Sequence, residues 1–161
     1  LGPGKVGELV VRGSHVMRGY WNDPSLTAQV YREGPTPGER VLHTGDLFRM
    51  DEEGHYYFLS RSDDIIKCRG EKVAPKEVEA VLCDLPGIAE AAVVGEPHPL
   101  LGQAIKAYCV RVDEGLSELT VRLHCARHLE NYMVPERVVF VASLPKTSNG
   151  KVNRSALCTT A

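Results

Sequence analysis

The sequence has no excess of charge of either sign, because 19 lysine and arginine residues stand against 21 aspartate and glutamate residues. The formal net charge at pH 7 is −2. Proteins that bind nucleic acids or anionic membranes carry a clustered basic excess, so we expect no nucleic-acid partner. Long hydrophobic runs are also missing. No segment approaches the ~20 apolar residues that a membrane-spanning helix needs, and we expect no membrane span.

The cysteines lack the close spacing of a metal or redox motif. They are Cys68, Cys83, Cys109, Cys125 and Cys158. No two of them lie closer than 15 positions, which excludes a Cys-x-x-Cys knuckle. His124 and His128 stand at i and i+4, as metal ligands on a helix can, but no second ligand pair accompanies them. We therefore expect no metal site and free thiols, which are usual in a cytoplasmic protein.

What the sequence does contain is the composition of a folded domain, with 43% hydrophobic and 25% charged residues. A chain of 161 residues can bury one real core or two small ones. It begins Leu1-Gly2-Pro3-Gly4 without a methionine, and we expect it to be a piece of a longer protein.

Residues 1–60 have the pattern of β structure, with β-branched and aromatic runs bounded by glycine and proline. The predicted strands are residues 7–13, 40–43, 47–50 and 56–59. Residues 22–24 and 34–38 have the composition of turns. These strands carry too few apolar residues for an independent sandwich. We expect them to be part of a β-barrel lobe whose remainder is missing.

From residue 61 onward the pattern predicts a small α+β domain. A helix that begins near Pro75 has an apolar face through Val78 and Leu82 and ends at Pro86-Gly87. A second helix over residues 118–129 would bury Leu119, Leu123, Ala126 and Leu129. The predicted strands are residues 88–94, 104–112 and 137–141, and a short helix ends the chain. We expect a mixed or antiparallel sheet with helices packed on one of its faces.

Three polar loops carry residues suited to chemistry. Asp46 ends the run His-Thr-Gly-Asp, where we expect one strand to end and another to begin. A carboxylate there can accept hydrogen bonds from a vicinal diol such as ribose, although an ordinary turn aspartate has the same pattern. Residues 60–79 alternate charges with glycine, as a solvated hairpin would. In residues 144–154, Gly150 lets the ammonium group of Lys151 approach an anion closely, without the layout of a Walker loop.

Together these loops resemble the adenylate-forming (AMP-binding) enzyme superfamily, which includes acyl-CoA synthetases, peptide-synthetase adenylation domains and luciferases. Five ordered segments carry the resemblance across nearly the whole chain. They are residues 19–28, 44–46, 61–79, 132–135 and 145–152. One departure is Ser60, where the family usually has glycine before Arg61.

The resemblance implies a division into two domains. Residues 1–60 would be the C-terminal β lobe of the large AMP-binding domain, and residues 61–161 would be the mobile C-terminal domain. The phosphate loop, the acid pocket and the ligands of Mg²⁺ would lie in the N-terminal domain, a partner missing from this chain. The chain alone is therefore expected to be inactive.

The resemblance also assigns roles to individual residues. Lys151 would be the catalytic lysine, Asp46 and Arg61 would bind the nucleotide, and Asp63 would be the hinge. The residues placed along the path of the thiol acceptor's pantetheine arm are Lys67, Gly70 and Lys72. None of these residues is expected to bind a metal.

The implied function is that of an ATP-dependent ligase, which activates a fatty or aryl acid as acyl-AMP and transfers it to CoA. Its substrates and cofactors would be ATP, Mg²⁺, the carboxylic acid and CoA, in the cytoplasm. One alternative is an adenylation domain that loads the phosphopantetheine thiol of an acyl carrier protein. A second is a non-catalytic module that docks a carrier protein or binds nucleotide. The set of Asp46, Arg61 and Lys151 counts against the second alternative, because a docking module does not need all three.

Overall fold

A computed structural model describes residues 2–158 of the chain. These residues divide into two compact units, with the boundary between Asp63 and Asp64. Helices and mainly antiparallel sheets form both units, which confirms the α+β fold class. The roles assigned to residues 1–60 and 61–161 as parts of an AMP-binding enzyme stay predictions.

The first unit is a four-stranded antiparallel sheet with one short helix. Its elements are β1 (Val6–Arg12), α1 (Pro24–Val30), β2 (Tyr31–Glu33), β3 (Arg40–Met50) and β4 (Tyr56–Arg61). The long strand β3 pairs with each of the other three strands. Every strand of the unit is therefore held in register by β3.

The prediction of a turn at residues 22–24 was incomplete, because α1 begins there. Asp23 caps the helix by accepting a hydrogen bond from the Leu26 N–H at 2.8 Å. Pro24 occupies the first helical position, where its missing N–H costs nothing. The Asp-Pro pair was therefore the start signal of a helix that is only seven residues long.

The second unit contains a five-stranded sheet and three helices among its described residues. Its elements are β5 (Ile66–Cys68), β6 (Glu71–Val73), α2 (Pro75–Cys83), β7 (Ile88–His98), β8 (Gly102–Arg111), α3 (Glu118–His128), a 3₁₀ turn (Asn131–Met133), β9 (Arg137–Phe140) and α4 (Arg154–Cys158). The strand order is β6-β5-β8-β7, and β9 runs parallel to β8. None of the helices found in residues 2–158 combines the length and the apolar character that crossing a membrane requires.

Both faces of this second sheet are covered, so the expectation of helices on one face only was wrong. Leu82 of α2 and Val121 of α3 pack in the larger core on one face. Leu157 of α4 packs with Ala92 and Tyr108 on the opposite face. The alternation of side chains along β7 and β8 supplies apolar residues to each face in turn, which allows a core on both.

Of the apolar face predicted for α3, only Leu129 at the helix C-terminus packs against the core. Leu119 and Leu123 are 64% and 50% exposed, whereas Val121 and Cys125 are fully buried. Both pairs have the i, i+4 spacing of one helical face, so periodicity alone does not choose between them. A hydrogen bond from the Val138 N–H to the Glu118 carboxylate helps to fix the rotation of the helix.

Candidate functional site

The segment around Asp46 lies inside β3, and the prediction that one strand ends and another begins there was wrong. His43 pairs with Val10, and Leu47 pairs with Glu8, so β3 has more residues between these two pairs than β1 has. The strand therefore carries an irregularity of the β-bulge type, at which Gly45 has a φ of +73°. Glycine reaches this angle without the steric cost that a side chain would impose.

Side chains from β1 and β3 brace this bulge. One carboxylate oxygen of Glu8 accepts the Gly45 N–H at 2.9 Å, and the other lies 3.0 Å from Nδ1 of His43. Thr44 donates its hydroxyl to the Leu9 carbonyl at 2.7 Å. The hydrogen bonds from His43 and Gly45 hold the pKa of Glu8 below its usual value, against the effect of desolvation. Sequence reasoning missed Glu8, because its partners lie 35 and 37 positions away.

Arg61 brings the predicted nucleotide-binding and hinge residues together. Its Nη1 donates to the Asp46 carboxylate at 3.1 Å and to the Thr44 carbonyl at 2.7 Å. Its Nε donates to the Asp63 carboxylate at 3.1 Å. The hydrogen bond from Arg61 lowers the pKa of Asp63, and the two carboxylates raise the pKa of Arg61, with Asp63 the larger cause. Asp46, Arg61 and Asp63 thus form one charged group.

The predicted pantetheine-path residues lie on the hairpin of β5 and β6. Lys67 and Lys72 are direct partners across it, and both are exposed. Arg69 and Gly70 form its tip, with φ values of +55° and +84°. A Cβ on Gly70 would meet no atom within 4 Å, so the space above this backbone is open. Like charges directly opposite each other destabilise a sheet, and an anion bound between them would relieve the repulsion.

Lys151 lies on a tight loop of the second unit, apart from that hairpin in sequence. Lys146 and Val152 form an isolated β-bridge, and the Thr147 N–H donates to the Lys151 carbonyl at 2.7 Å. The Gly150 N–H donates a hydrogen bond to the Thr147 carbonyl at 2.9 Å, which closes the turn. The Lys151 side chain is exposed, and no residue in the described part of the chain forms a hydrogen bond or ion pair with its ammonium group. The loop thus presents an unpaired cation on a fixed backbone.

The thiols and histidines show no sign of a second reactive centre in residues 2–158. All five cysteines are free, and burial raises the pKa of Cys109 to about 12 and that of Cys125 to about 11. Nε2 of His124 lies 3.0 Å from the Val81 carbonyl, and Nδ1 of His128 lies 2.8 Å from the His124 carbonyl. Within the described ranges, no group of three or more metal-ligating side chains is present.

The second unit matches a known protein family. Residues 77–151 match the model described as the AMP-binding enzyme C-terminal domain, from within α2 to Lys151. The resemblance to adenylate-forming enzymes is thereby confirmed for this domain.

Curated relatives extend the similarity over almost the whole chain. The long-chain-fatty-acid–CoA ligase of Escherichia coli O157:H7 is 41% identical over 157 residues, which are 98% of this chain. Surfactin synthase subunit 3 of Bacillus subtilis (strain 168) is 39% identical over 155 residues. The chain spans 27% of the length of the first relative and 12% of the second.

Solved structures of adenylate-forming enzymes have the same fold. ATP-bound MatB from Rhodopseudomonas palustris is 34% identical and matches 99% of this chain, and 31% of its own, with a TM-score of 0.88. The apo form of MatB matches the same share of this chain with a TM-score of 0.67. The matched region of MatB therefore differs in conformation between those two structures.

Proposed function

We propose that this chain is the C-terminal portion of an ATP-dependent ligase that forms an acyl-adenylate and then an acyl-CoA. The acid is proposed to be a fatty or aryl acid, in line with the fatty-acid–CoA ligase among the relatives. The observation that carries the proposal is Lys151. It stands at the end of the matched AMP-binding C-terminal domain, on a tight loop, with its ammonium group exposed and unpaired.

In the first half-reaction, a carboxylate oxygen of the acid attacks the α-phosphorus of ATP. A P–O bond forms, and the bond to the β-phosphate breaks and releases pyrophosphate. Negative charge develops on the transferring oxygens, where a positioned cation contributes most to the rate. The proposed role of Lys151 is to supply that cation between the carboxylate and the α-phosphate.

Asp46 and Arg61 are proposed to bind the nucleotide. The Asp46 carboxylate, already oriented by Arg61, has further acceptor capacity for the two hydroxyls of the ribose. Arg61 is 45% exposed, so its guanidinium can reach a phosphate while it keeps its bond to Asp46. These contacts would position the reacting atoms.

In the second half-reaction, a thiol attacks the acyl carbon and expels AMP. We propose that Asp63 is the hinge about which the domain rotates between the two steps, since a single residue can absorb a large change of φ and ψ. The two forms of MatB, which differ within the matched region, support such a change. The open backbone at Gly70 would then line the pantetheine arm of CoA, with Lys67 beside its path, and Lys72 would meet a phosphate of CoA.

The remaining parts of the site are proposed to come from elsewhere in the enzyme. The ligands of Mg²⁺ are proposed to lie in the N-terminal domain. That domain, ATP, the acid and CoA are the proposed partners. The proposed compartment is the cytoplasm.

A second candidate function is the loading of a carrier protein. The observation that favours it is the 39% identity to surfactin synthase subunit 3 of Bacillus subtilis. In this candidate, the same residues would perform adenylation, and the thiol would be the phosphopantetheine of an acyl carrier protein. The choice of acceptor separates the two candidates.

The test is Lys151→Ala in the complete enzyme. Acyl-AMP formation should fall by about 10²- to 10³-fold, since loss of such an electrostatic contact costs ~3–4 kcal/mol of transition-state stabilisation. Thioester formation from pre-made acyl-AMP should be spared. Both steps are followed by quantifying acyl-AMP and acyl-thioester, with CoA and with a carrier protein as acceptors.

The matched control is Lys76→Ala, which removes another exposed lysine of the same domain. It should leave both steps unchanged. Equal losses in the two steps for Lys151→Ala would show that Lys151 is structural. If only a carrier protein accepts the acyl group, the second candidate replaces the first.

A further inference from the structure

We infer that Arg154 is a positioning residue, which fixes the loop that carries Lys151 to the segment that begins beside the hinge. The inference rests on the proposed catalytic role of Lys151. Arg154 is the first residue of α4 and follows Lys151 by three positions. Its guanidinium donates hydrogen bonds to two carboxylates that lie far from Arg154 in the sequence. Nη2 donates to Glu79 at 2.7 Å, and Nη1 donates to Asp64 at 3.4 Å.

Glu79 gives Arg154 a rigid anchor. It lies in α2, is only 9% exposed, and also accepts the Val93 N–H of β7 at 3.0 Å. Glu79 therefore ties Arg154 to the helix and the strand that form the centre of the unit. Because Glu79 and Arg154 are both largely buried, loss of either would leave an uncompensated charge.

Asp64 gives Arg154 its second attachment. This residue directly follows Asp63, the proposed hinge, and precedes β5. An arginine fork can span two carboxylates in a fixed plane, which a lysine ammonium group does not do as well. The end of the Lys151 loop and the segment after the hinge are thus held by one side chain.

The other end of the Lys151 loop is fixed separately. Lys146 donates to Glu90 of β7 at 2.9 Å, and the Asn153 N–H donates to the Pro145 carbonyl at 2.8 Å. With Arg154 in place, both ends of the loop are attached to the sheet and α2. A displacement of about 1 Å at a reacting group can cost about 100-fold in rate, so this attachment matters for Lys151.

The first measurement is hydrogen exchange of the 161-residue chain with Arg154→Met. The Thr147 and Gly150 amides, which close the loop, should exchange at least about tenfold faster, as expected from loss of a hydrogen bond to a charged group. The amides of β8 should lose less protection than these loop amides, although the unpaired Glu79 lowers the stability of the unit as a whole. Arg127→Met, an exposed arginine of α3, is the matched control and should change neither set. An equal increase in the exchange of both sets would mean a general structural role and would overturn the inference.

The second measurement is acyl-AMP formation by the complete enzyme. Arg154→Met should lower kcat by about 100-fold with little change in the KM for ATP, because the cation is displaced and the nucleotide contacts are kept. Arg154→Lys should recover part of the loss. If Lys151→Ala is inactive but Arg154→Met keeps full kcat, the inference about Arg154 fails while the proposed function stands. If Lys151→Ala is fully active, the proposed function fails, whatever the exchange data show for Arg154.

Discussion

Asp46 and Arg61 are direct partners across β3 and β4, and the guanidinium of Arg61 donates to the Asp46 carboxylate at 3.1 Å. A Cβ on Gly45 would stand 2.9 Å from Nη2 of Arg61, closer than such contacts allow. A side chain at position 45 would therefore force the Arg61 guanidinium to move.

Gly45→Ala should destabilise the first unit and displace Arg61. The φ of +73° costs a residue with a side chain about 1–2 kcal/mol, and the contact with the guanidinium adds to it. Gly54→Ala is the control, because Gly54 has a φ of +87° and open space around it. The two variants are compared by urea unfolding followed through amide signals of β1 and β3. If the two variants lose the same free energy of unfolding, the contact between the new side chain at position 45 and Arg61 does not contribute to the loss.

Glu8 should make the stability of the first unit depend on pH. Its pKa is lowered in the folded chain, chiefly by the hydrogen bond with His43, so folding favours the ionised carboxylate. This contribution is present above the unfolded pKa of about 4.3 and is lost as the pH falls through the lowered folded value. Glu8→Gln should lose the contribution at pH 7 and respond less to acid between about pH 5 and 3. Unfolding curves of both proteins over this range test the difference, and parallel curves would contradict it.

Asp63→Pro should separate the two half-reactions in the complete enzyme. Proline fixes φ near −65° and should trap the orientation that suits this angle, so one half-reaction is kept and the other is lost. Asp63 also accepts a hydrogen bond from Arg61, which the substitution removes. Asp63→Ala removes the same bond but leaves the backbone free, and it should keep both steps. If the proline and alanine variants behave alike in both steps, Asp63 is not the hinge.

Gly70→Leu should slow thioester formation while acyl-AMP still accumulates. The space above Gly70 is open, so a leucine side chain would stand where the pantetheine arm is proposed to pass. Its φ of +84° adds strain, for which Gly54→Leu at +87° is the matched control. Stopped-time quantification of acyl-AMP and acyl-thioester gives both rates. Unchanged thioester formation in Gly70→Leu would place the acceptor path elsewhere.

Much of the fold was predictable, since it depends on local pattern. The strand at residues 7–13, the helix after Pro75 and the short terminal helix were placed close to β1, α2 and α4. The helix α1 was missed because its seven residues carry too little periodicity, and its one sequence signal, the Asp23-Pro24 pair, was taken for a turn. The assigned site roles stay predictions, although the structure does bring Asp46, Arg61 and Asp63 together.

The sequence by itself determined the order of the elements in the second unit and its resemblance to AMP-binding enzymes, because both are carried by the spacing of neighbouring residues. Only the tertiary structure decided that β3 is continuous through Asp46, which side of α3 is buried, and where Arg154 binds. The bond from Gly45 to Glu8 spans 37 positions, and that from Arg154 to Glu79 spans 75. Contacts between residues so far apart leave no local periodicity, and they exist only once the sheets have paired.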